Sequence, residues 1–237
     1  MSTWRHCVNT SVENSYKNAQ NMIRYLAPTD YYRNVYVRGE AVYLPEIIKR
    51  LERIHHEKLD PVLEIGPGWG TLTLWLSRAG HEIVCLDKAK KGLWMGDELL
   101  ALTKALYIQG DIFCPPYIIT DIGKKFQLIT MTHVMAHFKG RADRAISNIA
   151  WLLRDDGVFI QAEFNREHGK GNRPYGNDWK AVPEYGSANA PTESVVVGFT
   201  PESMLELLSL SFGVVAVEQT PDGKELISIC TKPKRGK

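Results

Sequence analysis

Residues 61–70 read Pro61-Val-Leu-Glu-Ile-Gly-Pro-Gly-Trp-Gly70, and this stretch decides how the rest of the chain is understood. Val62, Leu63 and Ile65 form a short apolar run, the mark of a buried strand. Gly66, Gly68 and Gly70 then turn the chain, and Leu72, Leu74, Trp75 and Leu76 continue it in a helical pattern. A strand, a glycine turn and a helix N-terminus together make a place where backbone comes close to a ligand. The acid inside the strand, Glu64, suits a ligand that also carries a positive group.

Outward from this stretch, strands and helices alternate. Strands are expected at 62–65, 82–86, 106–109, 126–131 and 157–162, with helices at 71–79, 93–102 and 142–153. Such alternation implies a parallel sheet with helices on both faces. The ending differs. Thr200-Pro-Glu-Ser opens a helix, and Thr220-Pro-Asp-Gly223 joins strands at 214–219 and 225–230 into a hairpin. One strand of that pair must therefore run against the others. Before the motif, helical spacing covers 11–27 and about 44–56, with Pro45 in the second helix's first turn. Residues 1–58 are thus expected to form an N-terminal helical cap, and 59–237 a single core. Between 165 and 198 apolar periodicity disappears, as expected of a substrate loop or lid, or of disorder.

Composition narrows the function classes. The 237 residues carry a formal net charge of only +2, which offers no electrostatic footprint for nucleic acid. The basic tail Lys232-Pro-Lys-Arg-Gly-Lys237 reads as a solvated terminus. The four cysteines, at 7, 85, 114 and 230, are too far apart in sequence to suggest a metal clip or redox pair, so no metal is expected. There is no apolar run long enough for a membrane span and no signal-peptide core at the start, so a cytoplasmic protein is expected.

The spacing of acids and glycines sharpens the ligand. The dinucleotide fingerprint needs glycine or alanine at the sixth position, and counting from Gly66 that position is Thr71. A carboxylate at Glu64 repels a pyrophosphate and attracts the ammonium of an amino acid. Asp87 ends the second strand, 21 residues after Gly66, where a carboxylate receives ribose hydroxyls. Asp111, after the third strand, is placed to hold an adenine amino group. Each acid taken singly is also explained as a helix cap or a solvated loop end.

Glu64-Ile-Gly-Pro-Gly-Trp-Gly70, Asp87 and Gly110-Asp111 resemble the first motifs of class I S-adenosylmethionine-dependent methyltransferases. Residues 126–138 are similar to that family's fourth motif, 152–160 to its approach to strand five, and Phe199-Thr-Pro-Glu to the entry of its late helix. The resemblance, to the family's small-molecule type (methyltransferase types 11 and 25), covers roughly 61–231. It implies an α/β, Rossmann-like seven-stranded sheet with an antiparallel final strand. It implies S-adenosyl-L-methionine as cofactor, with S-adenosyl-L-homocysteine as product. It assigns cofactor contacts to Glu64, Gly66, Pro67, Gly68, Gly70, Asp87, Lys88, Asp111, Ile112, Met131 and Thr132. Lys88 stands where the family usually has an apolar residue against adenine, and its aliphatic stem can serve instead.

Methyl transfer is an in-line displacement, and a base is needed only where the acceptor must lose a proton. His133 and His137, four apart after the fourth strand, are the candidates; a structural role is the alternative for each. Acceptor recognition is expected from Tyr25, Tyr32, Tyr36, Arg166, His168, Tyr175, Trp179 and Tyr185. The expected reaction methylates an O, N or C atom of a small molecule, in a monomer or homodimer. RNA or protein as acceptor, an NAD(P)-dependent oxidoreductase, and a non-catalytic scaffold are the competing readings.

Overall fold

A computed structural model describes residues 17–19, 21–22, 37–54, 59–91, 95–121, 125–138, 141–168 and 198–235. Seven strands form one sheet: β1 Val62–Ile65, β2 Ile83–Asp87, β3 Leu106–Gln109, β4 Phe126–Thr132, β5 Leu153–Phe164, β6 Phe212–Gln219 and β7 Glu225–Pro233. Their order across the sheet is β3-β2-β1-β4-β5-β7-β6. β1 to β5 are parallel, and β7 runs antiparallel to both β5 and β6. The expected seven-stranded sheet with a reversed final strand is therefore what forms.

Among the described residues, besides helical positions 17–19 and 21–22, the helices are α1 Val37–Ile54, α2 Thr71–Arg78, α3 Asp97–Thr103, α4 Tyr117–Asp121, α5 Ala142–Leu152 and α6 Pro201–Ser209. Strand alternation divides the core in two. Val62, Leu128 and Ile160 point to one face and pack with Ile47, Ile48 and Leu51 of α1 and Leu72 and Leu76 of α2. Leu63, Ile129 and Phe159 point to the other and pack with Ile146 and Ile149 of α5 and Met204 and Leu208 of α6.

Several boundaries depart from the sequence reading. α1 begins at Val37, so Pro45 lies inside the helix rather than in its first turn. Ile47, Ile48 and Leu51 are buried on the sheet, and that packing outweighs the hydrogen bond lost at proline. β5 starts at Leu153, four residues early, because Phe126 pairs with Leu153 across a register shift. α4 had no sequence signal. The helix expected at 93–102 spans Asp97–Thr103, with 92–94 outside the described residues. Most of the helix expected at 11–27 also lies outside them.

The closing hairpin forms as its turn residues dictate. Gly223 takes a φ of 71°, and the Thr220 hydroxyl donates to Asp222 Oδ1 at 2.8 Å. Thr200 and Ser203 cap α6 reciprocally, with Pro201 in its first turn. Arg235 closes the C-terminal end of α5. Its guanidinium donates to the carbonyls of Ala150 at 2.6 Å, Trp151 at 3.2 Å and Leu153 at 2.7 Å, and pairs with Asp155. That pairing holds the Asp155 carboxyl below its usual range. Arg235→Ala leaves helix-end carbonyls unmet and is expected to lower the melting temperature by about 3–8 °C, read by differential scanning calorimetry. An unchanged value would mean that water caps α5 equally well.

Candidate active site

The sheet order reverses between β1 and β4, and their carboxyl ends diverge into a crevice. From β1 the chain passes through Gly66, Gly68 and Gly70, all left-handed, with φ of 64°, 53° and 80°. At Gly66 the space is also needed, because a Cβ there would overlap Val134 Cγ2. Above the crevice lies a cavity of about 430 Å³.

The cavity wall brings together Gly66, Pro67, Gly68, Asp87, Lys88, Asp111, Ile112, Thr132, His133 and His137, ten of the residues singled out from the sequence. Glu64, Gly70 and Met131 stand outside it, each for a visible reason. Glu64 is buried and accepts the Thr73 hydroxyl from α2 at 2.5 Å. Gly70 caps α2, and a Cβ there would press on the side chains of Leu99 and Met95. Met131 alternates away from Thr132 into the core. Arg166 and the backbone of His168 form a 3₁₀ turn after β5; Arg166 is not part of the wall, and the His168 side chain lies outside what the structure describes. Tyr25, Tyr32, Tyr36, Tyr175, Trp179 and Tyr185 lie outside the described residues.

At one end of the cavity, Asp87 Oδ1 accepts the Ala89 amide at 2.8 Å, and burial raises its carboxyl pKa. Asp111 Oδ1 accepts the Phe113 amide at 3.0 Å, while its Oδ2 meets Lys88 Nζ at 2.8 Å. The Lys88 ammonium therefore bridges the ends of β2 and β3. Phe113 packs edge-on against Phe138 at 5.0 Å and carries the Arg141 guanidinium at 4.4 Å.

At the other end, His133 leaves β4 with a φ of 53°, an uncommon conformation for a non-glycine residue. Its amide donates to Ala162 O at 2.9 Å. Its ring stacks on Phe164 at 4.0 Å and meets the edge of Tyr43 at 4.4 Å. Nε2 lies 3.0 Å from Glu225 Oε2. His137 closes the 3₁₀ turn Met135–His137, so the two histidines do face one cavity.

A family model described as a methyltransferase domain matches residues 36–194, two thirds of the chain. The chain belongs to that family. Its strand order and reversed β7 make it a class I S-adenosylmethionine-dependent methyltransferase. The chain matches no curated protein by sequence.

Solved structures share the fold at low identity. The PH0226 protein of Pyrococcus horikoshii has 16% identity and a TM-score of 0.59, covering 87% of this chain and 99% of that one. A 1,6-didemethyltoxoflavin N1-methyltransferase of Burkholderia thailandensis has 18% identity and a TM-score of 0.59, covering 98% and 89%. That structure holds 1,6-didemethyltoxoflavin and S-adenosylhomocysteine. An S-adenosylmethionine-dependent methyltransferase of Clostridium acetobutylicum has 14% identity and a TM-score of 0.55, covering 85% and 96%.

The methyltransferase also has site residues that no sequence pattern marked. Tyr43, Trp69, Phe113, Phe138, Arg141 and Phe164 line the cavity. Behind His133 stand Glu225 and Glu163. The Met135 amide donates to Glu163 Oε1 at 2.9 Å, whereas Oε2 is buried with no hydrogen-bond partner at normal geometry among the described residues. The one available signal was a pair of acids in otherwise apolar strand segments, Glu163 in Ala162–Phe164 and Glu225 opening β7.

Burial pushes the Glu163 carboxyl up to about 7; Glu225 adds to the rise, and His133 and the backbone amides oppose it. Below the unfolded value of 4.5, both states of the chain are protonated here and nothing is lost. Between 4.5 and about 7 the unfolded chain releases this proton while the folded chain keeps it. Stability therefore falls as pH rises through that window, by on the order of 3 kcal/mol, and stays lower above it. Glu163→Gln keeps an acceptor for Met135 and cannot ionise. Urea unfolding at pH 5 and pH 8 is expected to show a smaller difference in the variant; an equal difference would assign the pH dependence to other groups.

Proposed function

We propose that this methyltransferase transfers a methyl group to a small molecule held in the cavity beside His133. The observation that carries the reading is the cavity itself: about 430 Å³, bounded by the glycine turn, two strand-end acids and an aromatic cluster around a histidine. That volume lies in the range of small-ligand sites. The wall fits the cofactor, since left-handed glycines leave room for a backbone-hugging ligand, and Asp87 and Asp111 present carboxylates at successive strand ends.

The cofactor supplies an electrophilic methyl on a sulfonium. Asp87 would receive the ribose hydroxyls, and Asp111 and Ile112 the adenine. For Asp111 to take the adenine amino group, Lys88 must share or release the carboxylate oxygen that it now holds. Gly66 and Gly68 would let the amino-acid portion pass over the backbone, with Glu64 acting from behind the strand. His133 and His137 are the proposed catalytic groups. His133 is the better fixed, by its backbone bond, its ring contacts and its carboxylate partner. The 165–198 segment, expected from sequence to be a substrate loop or lid, lies mostly outside the described residues.

The near-neutral charge favours a small acceptor over RNA. No described helix is long and apolar enough to cross a membrane. Cys85 and Cys230 are free and buried, and Cys114 is free and exposed, which suits a reducing, cytoplasmic setting. The test is transfer of labelled methyl from S-adenosylmethionine into separated small-molecule, RNA and protein fractions of a cell extract. Label in the small-molecule fraction is expected. Label confined to RNA, and lost at raised salt, would move the assignment to nucleic acid.

A further inference from the structure

We propose that Glu225 is a positioning residue that holds His133 as a proton acceptor at the acceptor end of the cavity, so that the atom methylated is one that carries a proton. The inference rests on the small-molecule methyltransferase reading and adds a residue and an acceptor class to it.

Glu225 is placed by the hairpin, far from the motifs in sequence. Its amide donates to Thr220 Oγ1 at 3.1 Å, and its carbonyl accepts the Thr220 amide at 2.9 Å, so the tight turn sets where its side chain begins. In the β5–β7 register it lies opposite Phe164. Opposed residues share a face of the sheet, so the carboxylate and the phenyl ring approach His133 from the same side. Glu225 is 5% exposed, and a carboxylate so buried needs a charged or strongly donating partner. His133 Nε2, at 3.0 Å, is that partner.

The contact decides the chemistry of the ring. With Nε2–H donated to Glu225, neutral His133 carries its lone pair on Nδ1. Stacking on Phe164 and the edge contact with Tyr43 limit rotation of the ring, and the left-handed backbone is further strain held in place by packing. The titratable groups around the ring, among the described residues, are Glu225 from β7, Glu163 from β5 and Tyr43 from α1. Of these, the Glu225 carboxylate is the group in direct contact with the ring, at 3.0 Å from Nε2.

The step balances. The acceptor's O–H or N–H proton moves to Nδ1 of His133 as that atom's electron pair forms the bond to the methyl carbon. Bound S-adenosylmethionine would supply the methyl carbon and keep the electron pair of the broken carbon–sulfur bond on sulfur, and the positive charge would end on the His133 imidazolium beside Glu225. A group without a proton to lose, such as a tertiary amine or a thioether, gains nothing from this arrangement.

The test uses ¹⁵N spectra of the His133 imidazole in wild type, Glu225→Gln and Glu225→Asp, each saturated with S-adenosylhomocysteine after calorimetric titration. The wild type is expected to show the Nε2–H tautomer and a reversible protonation of the ring. Glu225→Gln is expected to lower that midpoint by about one unit or more, Glu225→Asp to restore most of it, and neither to change cofactor affinity beyond about threefold. A His133 that does not titrate in the folded protein, or an unchanged midpoint in Glu225→Gln with cofactor still bound, overturns the proposal. Failure of the wild type to bind S-adenosylhomocysteine sinks the underlying reading instead, whatever the tautomer.

Discussion

Asp87→Ala is expected to weaken S-adenosylhomocysteine binding by roughly 100- to 1,000-fold while the protein remains folded. The magnitude follows from losing two charge-assisted hydrogen bonds to the ribose hydroxyls, taken at about 1.5–2 kcal/mol each and so about 3–4 kcal/mol together. The fold survives because Asp87 supports little else. Its Oδ1 accepts the Ala89 amide at 2.8 Å, and it is the last residue of β2. Burial already raises its carboxyl pKa, so removing the charge at neutral pH relieves a desolvated group. Asp87→Asn is expected to fall between the two, because the amide keeps an acceptor and loses the charge. Calorimetric titration measures all three proteins. An affinity near that of the wild type in Asp87→Ala would remove the ribose from this strand end.

Gly66→Ala is the second large effect, and it acts on stability and binding together. An alanine at a φ of 64° costs about 1–2 kcal/mol, and its methyl would overlap Val134. Relieving that overlap by pushing back the exit of β4 costs about 1–3 kcal/mol more. The melting temperature is expected to fall by roughly 5–15 °C, and cofactor affinity by at least about 10-fold, since Gly66 and Val134 both line the cavity. A Gly66→Ala, Val134→Ala double variant separates the two causes. It should recover the part due to overlap and none of the part due to φ. If the double variant is no better than the single one, backbone strain accounts for the whole effect.

The two predictions concern residues that are legible in the sequence for a shared reason. A glycine that must be left-handed, and an acid one strand beyond it, are local signals. The same holds for Thr220-Pro-Asp-Gly223, whose turn chemistry alone implied the hairpin and hence a reversed strand. Strand ends were less legible. The apolar run places β5 at 157–162, yet pairing of Phe126 with Leu153 draws Arg154, Asp155 and Asp156 into the strand. Proline suits a helix's first turn, yet burial of Ile47, Ile48 and Leu51 carries the helix through Pro45.

The sequence by itself determined the class of sheet, the turn at Gly66–Gly70, the reversed strand and the acids at the ends of β2 and β3. Each depends on a few neighbouring residues whose backbone preferences are strong. The surroundings of His133 were decided only in three dimensions. Glu225 lies 92 residues from it, Phe164 comes from another strand and Tyr43 from a helix before the motif. Which face each side chain takes depends on register, and register is set by pairing between distant segments. Whether His133 meets a carboxylate is therefore a property of the β5–β7 pairing, although the histidine itself could be singled out from sequence.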